Sequence, residues 1–228
     1  MRAALSILLA ALVLLCAFVS SAGSQGEIVI RGIRSGSHLQ LSVDGSRLVV
    51  DGNVAGRQAG CQTTRRGVSC SLAHVGAVIV ETGPAPDKVE VLEPLPVPLT
   101  AYLGAGSDKF IGNAEDDACY PQGTPRNRCV GGGGADTCIS APVNTDCVGG
   151  PGRDYCQTSA GSDGCWGGPG NDVCRMGRGK DGCHGEGGDD RLYGGPGADR
   201  LYGGTDFDHC DGMPGFGRSA ECEAGPRH

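Results

Sequence analysis

Aromatic side chains are scarce in this chain of 228 residues, where they make up 4% of the sequence and include a single Trp. A globular core of the usual kind is hard to build without such large side chains. Glycine is abundant instead, with 42 residues, but it follows no Gly-X-Y period, so a collagen triple helix is excluded. The composition therefore favours neither a conventional globular domain nor a collagen-like fibre.

Positive charge is also in short supply, with 19 Lys and Arg residues against 26 Asp and Glu residues and a formal net charge of −7. Binding to nucleic acid requires basic patches, so this balance opposes a nucleic-acid partner. The acidic residues recur in the repeated part of the chain that is described below, and they favour cations as ligands.

Long apolar runs are absent except at the N-terminus. Arg2 precedes an apolar segment over residues 3–19, and the small residues 20–22 follow it. This order predicts a secretory signal peptide over residues 1–22. The apolar segment has 17 residues, the short limit for a membrane span, so an uncleaved anchor is the alternative. We expect a secreted, extracellular chain with no membrane contact after the signal peptide is removed.

Familiar catalytic motifs are missing as well. The sequence contains neither His-Glu-x-x-His nor Gly-x-Ser-x-Gly, and its five histidines are scattered. We therefore expect no enzymatic activity. The alternative that stays open is a secreted hydrolase with an unrecognised active site attached to the repeats.

A nine-residue unit is what the sequence does contain, in twelve consecutive copies from Leu103 to Asp211 with Pro121 as the only extra residue. Its pattern is Gly-Gly-x-Gly-x-Asp-x-apolar-x, and a register this strict argues against disorder. The sixth places are Asp108, Asp117, Asn127, Asp136, Thr145, Asp154, Asp163, Asp172, Asp181, Asp190, Asp199 and Asp208. The eighth places are Phe110, Cys119, Cys129, Cys138, Cys147, Cys156, Cys165, Cys174, Cys183, Leu192, Leu201 and Cys210.

The unit predicts an all-β fold, a parallel β-roll or β-helix solenoid. Glycines at the first, second and fourth places allow a tight turn, and the last three places form a short strand whose middle side chain points inward. Two units then make one coil, and coils stack about 4.8 Å apart. We expect the β-roll over residues 103–211, a degenerate β-strand region or cap over residues 23–102, and a C-terminal cap over residues 212–228.

The unit resembles the hemolysin-type (RTX) calcium-binding nonapeptide repeat of secreted bacterial proteins, and this resemblance implies calcium as the ligand. Calcium prefers carbonyl and carboxylate oxygens, which glycine turns and aspartates supply. The expected metal-site residues are Asp136, Asp154, Asp163, Asp172, Asp181, Asp190, Asp199, Asp208, Gly149, Gly152, Gly167, Gly170, Gly194 and Gly197.

Stacking places each unit above the second unit before it, so the sixth places form two edges. The edge that we call the unbroken edge holds Asp117, Asp136, Asp154, Asp172, Asp190 and Asp208. The interrupted edge holds Asp108, Asn127, Thr145, Asp163, Asp181 and Asp199. We expect calcium mainly on the unbroken edge and between Asp163, Asp181 and Asp199. The alternative is that each Asp only caps its own turn, and this is favoured for Asp108 and Asp117, whose turns lack some of the glycines.

The chain has 13 cysteines, one of them in the predicted signal peptide, which leaves an even number for disulfides. Cysteines stacked along one sheet have parallel side chains, whereas those on facing sheets point at each other. The expected pairs are Cys61–Cys70, Cys119–Cys129, Cys138–Cys147, Cys156–Cys165, Cys174–Cys183 and Cys210–Cys222, and stacked pairs such as Cys156–Cys174 are the alternative. A metal–thiolate site is disfavoured because no Cys-x-x-Cys pair exists.

The sequence thus predicts a secreted, non-enzymatic, calcium-binding β-roll with a structural or adhesive role and a partner at the cell surface. Calcium binding would offset the conformational entropy that a glycine-rich chain loses on folding. A rod that is held by disulfides and no longer needs calcium is a further alternative.

Overall fold

The computed structural model describes residues 26–32, 35–54, 60–123, 126–212 and 222. Every regular element in these ranges is a β-strand, as the repeat predicted. The predicted signal peptide lies outside the described residues, as does most of the predicted C-terminal cap. Within the described ranges, no helix has the length and apolar character needed to cross a membrane.

Short strands follow one another along the whole described chain. The first eleven are β1 (Gly26–Arg31), β2 (His38–Asp44), β3 (Arg47–Asp51), β4 (Cys61–Thr63), β5 (Gly67–Ser71), β6 (Val75–Glu81), β7 (Lys88–Val91), β8 (Leu99–Leu103), β9 (Lys109–Ile111), β10 (Ala118–Pro121) and β11 (Arg126–Val130). The others are β12 (Thr137–Ile139), β13 (Asn144–Val148), β14 (Tyr155–Gln157), β15 (Ala160–Gly161), β16 (Gly164–Pro169), β17 (Val173–Arg175), β18 (Arg178–Gly179), β19 (Gly182–Gly187), β20 (Arg191–Tyr193), β21 (Arg200–Thr205) and β22 (His209–Asp211).

The chain alternates between two large sheets that face each other. The nine-stranded sheet has the order β1-β6-β8-β10-β12-β14-β17-β20-β22, and its neighbours are all parallel. The eleven-stranded sheet has the order β21-β19-β16-β13-β11-β9-β7-β2-β3-β5-β4. Strands β15 and β18 form a third, two-stranded sheet. The architecture is a parallel β-solenoid, which confirms the predicted fold class.

The register shows that two units make one coil. Cys138 pairs with Cys156 in one sheet, and Cys147 pairs with Cys165 in the other. Residues of the repeat therefore lie beside their equivalents eighteen positions later, or nineteen where the extra residue Pro121 intervenes, as the double nine-residue period requires.

The solenoid begins before the first unit of the repeat. The predicted boundary between residues 102 and 103 falls inside β8, and the sheets continue through it to β1 and β2. Val78 and Val80 of β6 pair with Leu99 and Ala101 of β8, and all four side chains are buried. Parallel pairing needs backbone groups and inward apolar side chains but no glycine-rich turn, so the coils extend beyond the recognisable repeat. Antiparallel strands β3, β5 and β4 complete this end of the eleven-stranded sheet.

The core is a column of inward-pointing side chains that changes composition along its length. It is aliphatic in the first coils, sulfur-rich in the middle and aliphatic again at Leu192 and Leu201. In β8 the burial alternates residue by residue, as expected for strands that have one face in a core.

Disulfides join facing cysteines across this column. Cys119–Cys129 and Cys138–Cys147 have Cα–Cα distances of 6.1 Å, and Cys174–Cys183 has 6.7 Å. The sheets therefore approach more closely here than the usual separation of about 10 Å. Two further disulfides, Cys61–Cys70 and Cys210–Cys222, lie outside the sulfur-rich middle.

One expected pair is different, because the structure leaves Cys156 and Cys165 as free, buried thiols. Their sulfur atoms and that of Cys174 lie within 4.8 Å of one another. Cys165 makes a thiol hydrogen bond with Cys156 in place of the predicted covalent bond.

Candidate metal centre

The aspartates at the sixth place of the unbroken edge form a ladder of hydrogen bonds that fixes one carboxylate oxygen in each coil. The backbone N–H of Asp136 donates to Oδ1 of Asp154 at 2.7 Å, and that of Asp154 donates to Oδ1 of Asp172 at 2.7 Å. The ladder continues through Asp190 to Asp208 with distances of 2.8 and 3.0 Å. Each carboxylate is thereby held in one orientation by the coil before it.

The second carboxylate oxygen of these aspartates has no hydrogen-bond partner, although it is buried. On the unbroken edge this applies to Oδ2 of Asp136, Asp154, Asp172, Asp190 and Asp208. A buried carboxylate oxygen without a partner is costly, and nearly all such atoms in proteins are satisfied. A row of them therefore points to a ligand that carries positive charge.

Glycine at the first place of each unit makes the space for this oxygen. A Cβ atom at Gly149 would clash with Oδ2 of Asp154, and one at Gly167 would clash with Oδ2 of Asp172. The same relation holds on this edge for Gly131 with Asp136, Gly185 with Asp190 and Gly203 with Asp208.

Glycines at the second and fourth places shape the turn itself. Gly150 and Gly152 have φ angles of 122° and 150°, a region that L side chains rarely adopt. The backbone N–H of Gly150 donates to the carbonyl of Gly167 in the next coil at 2.8 Å, so the turns stack as closely as the strands. Backbone carbonyls and carboxylates are thus concentrated at one edge, and these oxygens are the ligands that calcium prefers.

Burial raises the pKa of these aspartates well above their ordinary value. The pKa of Asp136 rises to about 8, chiefly through burial, with a smaller contribution from the neighbouring charges of Asp154 and Asp117. The pKa of Asp190 rises to about 7, and those of Asp154 and Asp172 rise to about 6, again mainly through burial. The protein alone does not neutralise this edge, whereas a nearby cation favours the ionised form of a carboxylate.

A cavity lies along the unbroken edge, between its turns and the sulfur-rich core. Its lining includes Asp136, Asp154, Asp172, Gly131, Gly149 and Gly167. No sixth-place aspartate of the interrupted edge lines this cavity. The cavity therefore follows the unbroken edge, whose units all have glycine at the first place.

Asp117, at the start of the unbroken edge, is satisfied by its own turn. The backbone N–H of Asn113 donates to its Oδ2 at 2.6 Å, and the Asn113 side-chain amide lies 3.0 Å from both carboxylate oxygens. This is the turn-capping arrangement that the missing glycines favoured.

The interrupted edge has a similar ladder. Oδ1 of Asp163, Asp181 and Asp199 accepts a hydrogen bond from the backbone N–H one coil earlier, at 2.8, 2.9 and 3.0 Å. Oδ2 of Asp163 and Oδ2 of Asp181 are also buried without a partner. The structure thus brings together the three aspartates that were predicted for this edge.

The first places of the interrupted edge differ, however, because they carry buried side chains. Thr158 belongs to the unit of Asp163 and Met176 to the unit of Asp181, and both are buried. Burial raises the pKa of Asp163, and the nearby Thr158 hydroxyl offsets part of this effect. Among these three units only that of Asp199 has a glycine, Gly194, at the first place.

Asp87 extends the interrupted edge beyond Asp108 toward the N-terminus, and neither residue was among the predicted site residues. The backbone N–H of Asp87 donates to Oδ1 of Asp108 at 2.9 Å, and Asp87 Oδ1 accepts from the backbone N–H of Ser37. Oδ2 of both aspartates is buried without a partner. The available signal was the phase of residues 82–90, where Asp87 occupies the sixth place of a weak copy of the unit.

Comparison with known protein families identifies the repeat. Residues 148–182 and residues 184–214 each match the family described as the RTX calcium-binding nonapeptide repeat (4 copies). Searches among curated proteins and among solved structures found no match to the chain. The matched residues contain the unbroken edge from Asp154 to Asp208 and the interrupted edge from Asp163 to Asp199.

Proposed function

Residues 148–182 and 184–214 are RTX calcium-binding nonapeptide repeats, and on that premise we propose that the chain is a secreted, non-enzymatic β-roll whose folding is stabilised by calcium and disulfides. Its role is structural or adhesive at the cell surface. The observation that carries the proposal is the row of buried Oδ2 atoms on the unbroken edge, each facing a first-place glycine.

Calcium is held mainly on the unbroken edge, by the aspartates from Asp136 to Asp208 and the turn carbonyls beside them. Their fixed Oδ1 atoms, free Oδ2 atoms and glycine-lined space supply the oxygen ligands and the room that a hard cation requires. On the interrupted edge, the unit of Asp199 alone has a glycine at the first place, because Thr158 and Met176 occupy the first places in the units of Asp163 and Asp181.

Calcium and disulfides stabilise the fold in different ways. A ligand that binds only the folded state adds about 2.7 kcal/mol when its concentration is a hundredfold above Kd. A disulfide that closes a loop of nine or ten residues restricts the unfolded chain and contributes roughly 2–3 kcal/mol in the chain-entropy picture. Both contributions oppose the large entropy loss of a chain with 42 glycines.

The distribution of perturbed carboxylates supports a non-enzymatic role. Among the described residues, every Asp or Glu with a raised pKa occupies a sixth place of the repeat. A hydrolase would need a perturbed carboxylate in a pocket away from these edges. A hydrolytic site would therefore have to use the same aspartates that bind the metal.

Calorimetric calcium titration of paired variants tests where the metal binds. Replacing both Asp154 and Asp172 with Asn removes charge from the unbroken edge, and we expect calcium affinity to fall at least tenfold. The matched variant replaces both Asp163 and Asp181 with Asn on the interrupted edge, and we expect a smaller effect. Asp146→Asn is the control outside both ladders, because Asp146 pairs with Arg126 at 2.7 Å on the outer face. Equal losses in all three variants would show that the edges are not the site.

A further inference from the structure

Three cysteine sulfur atoms form a cluster in the sulfur-rich middle of the core. The Sγ atoms of Cys156, Cys165 and Cys174 lie within 4.8 Å of one another, and all three residues are buried. Cys174 is bonded to Cys183, so Cys156 and Cys165 are the members that carry thiols. Of the four described coils that set cysteine against cysteine, only theirs has no covalent link between the two sheets.

Met176 adds a thioether sulfur to this cluster. Its Sδ lies 3.3 Å from Sγ of Cys174, and its side chain is buried. Among the described residues, the group of possible metal ligands at this point contains cysteine alone, without histidine or carboxylate. The available donor atoms are thus soft sulfur atoms, which prefer Cu(I) or zinc, whereas calcium prefers oxygen.

The spacing of the two thiols suits a single metal ion between them. Metal–thiolate bonds are about 2.3 Å long, so two such bonds in line span about 4.6 Å. The Cys156 and Cys165 sulfur atoms lie within 4.8 Å of each other and share a thiol hydrogen bond. Both residues line the cavity beside the unbroken edge, so there is open space next to their sulfur atoms. An ion can therefore replace the shared proton with little movement of the sheets.

The number of thiols distinguishes between the two soft metals. Structural zinc sites are tetrahedral and take four Cys or His ligands. Here two residues, Cys156 and Cys165, can supply a thiolate, because the Cys174 sulfur is part of a disulfide. Cu(I) is a soft, monovalent ion that two thiolates can hold between them. The composition of the cluster therefore favours Cu(I) over zinc.

We propose that Cys156 and Cys165 bind one Cu(I) ion, with the sulfur atoms of Cys174 and Met176 as its neutral neighbours. Each thiol loses its proton to water and forms one bond to the metal, so two protons are released and no electron is transferred. The ion joins the two sheets in the coil whose facing cysteines are not bonded. This site differs from the calcium edges in its sulfur ligands, and the inference does not rest on the proposed calcium binding.

Anaerobic titration of the oxidised full chain with Cu(I), in excess calcium and against the coloured Cu(I) chelator bicinchoninate, tests the proposal. The acetonitrile complex of Cu(I) is the probe, because it needs no added reductant that would break the disulfides. We expect one equivalent of Cu(I) to pass from the chelator to the protein, and excess zinc should not displace it. Cys156→Ser and Cys165→Ser should each weaken Cu(I) binding at least a hundredfold, because a hydroxyl replaces one of the two thiolates.

The matched control replaces both Cys138 and Cys147 with Ser in the preceding coil, where the two cysteines are already bonded, and it should still bind one equivalent. Circular dichroism in calcium identifies any variant that fails to fold. Cys156→Ala and Cys165→Ala, which bury no hydroxyl, then take the place of the serine variants. The proposal is wrong if the unsubstituted chain takes up no Cu(I), if the control loses binding equally, or if zinc binds as tightly. None of these results depends on where calcium binds.

Discussion

Glycine at the first place of an unbroken-edge unit lies directly against the carboxylate of the same unit. At Gly149 the constraint is steric, because an added Cβ would occupy the position of Asp154 Oδ2. At Gly150 and Gly152 the constraint is conformational, because both have positive φ angles. Two different physical requirements thus select the same residue type within four consecutive positions.

Gly149→Ala therefore tests the steric requirement on its own. We expect it to displace the Asp154 carboxylate, to weaken calcium binding and to destabilise the calcium-loaded protein by about 1–3 kcal/mol, the usual cost of overpacking. Urea unfolding in excess calcium measures the change. Gly182→Ala is the control, since its Cβ would meet nothing within 4 Å and should leave stability nearly unchanged. Equal effects of the two substitutions would contradict the packing described for the edge.

The coils of the sulfur-rich middle are alike in register but not in bonding. Three facing pairs of cysteines are joined, while Cys156 and Cys165 remain thiols in the coil between two of those pairs. Burial raises the pKa of the Cys165 thiol well above its ordinary value, and the contact with Cys156 raises it further. Thiols of this kind are poor nucleophiles, because the thiolate is the reactive form.

Alkylation with iodoacetamide followed by peptide mass spectrometry distinguishes the structure from the sequence prediction. We expect Cys156 and Cys165 to be labelled only after the oxidised protein is unfolded, because both are buried in the native state. The ten cysteines in disulfides serve as internal controls and should stay unlabelled. Labelling of Cys156 in the native protein would contradict its burial. Protection of both residues after unfolding would indicate the disulfide that the sequence predicted.

The repeat elements were the most predictable part of the molecule, because a strict period fixes which residues stack. It correctly placed Cys138 beside Cys156 and separated the aspartates into two edges. It could not indicate that coils continue to β1, since the aliphatic strands there lack the glycine pattern. It also could not give the tertiary contacts of single side chains, such as the stacking of His184 between Trp166 and Tyr202.

At the scale of the whole molecule, we propose that calcium and disulfides stabilise different parts of one stack. The first coils have an aliphatic core, the middle coils have disulfides, and the last coils have the most complete calcium repeats together with Leu192 and Leu201. Each coil contacts only its neighbours, so stability is expected to propagate from coil to coil. On this proposal, calcium at the unbroken edge supports the whole length from Asp136 to Asp208.

The most direct test of this account is thermal unfolding of the oxidised chain, followed by circular dichroism, as calcium is added and then removed with a chelator. We expect Tm to rise by several degrees in saturating calcium, because binding at a hundredfold excess over Kd adds about 2.7 kcal/mol. The chelator should reverse the increase, and magnesium at the same concentration should reproduce little of it. A spectrum and a Tm that do not change with calcium would contradict calcium-dependent folding, and would favour a rod held by its disulfides alone.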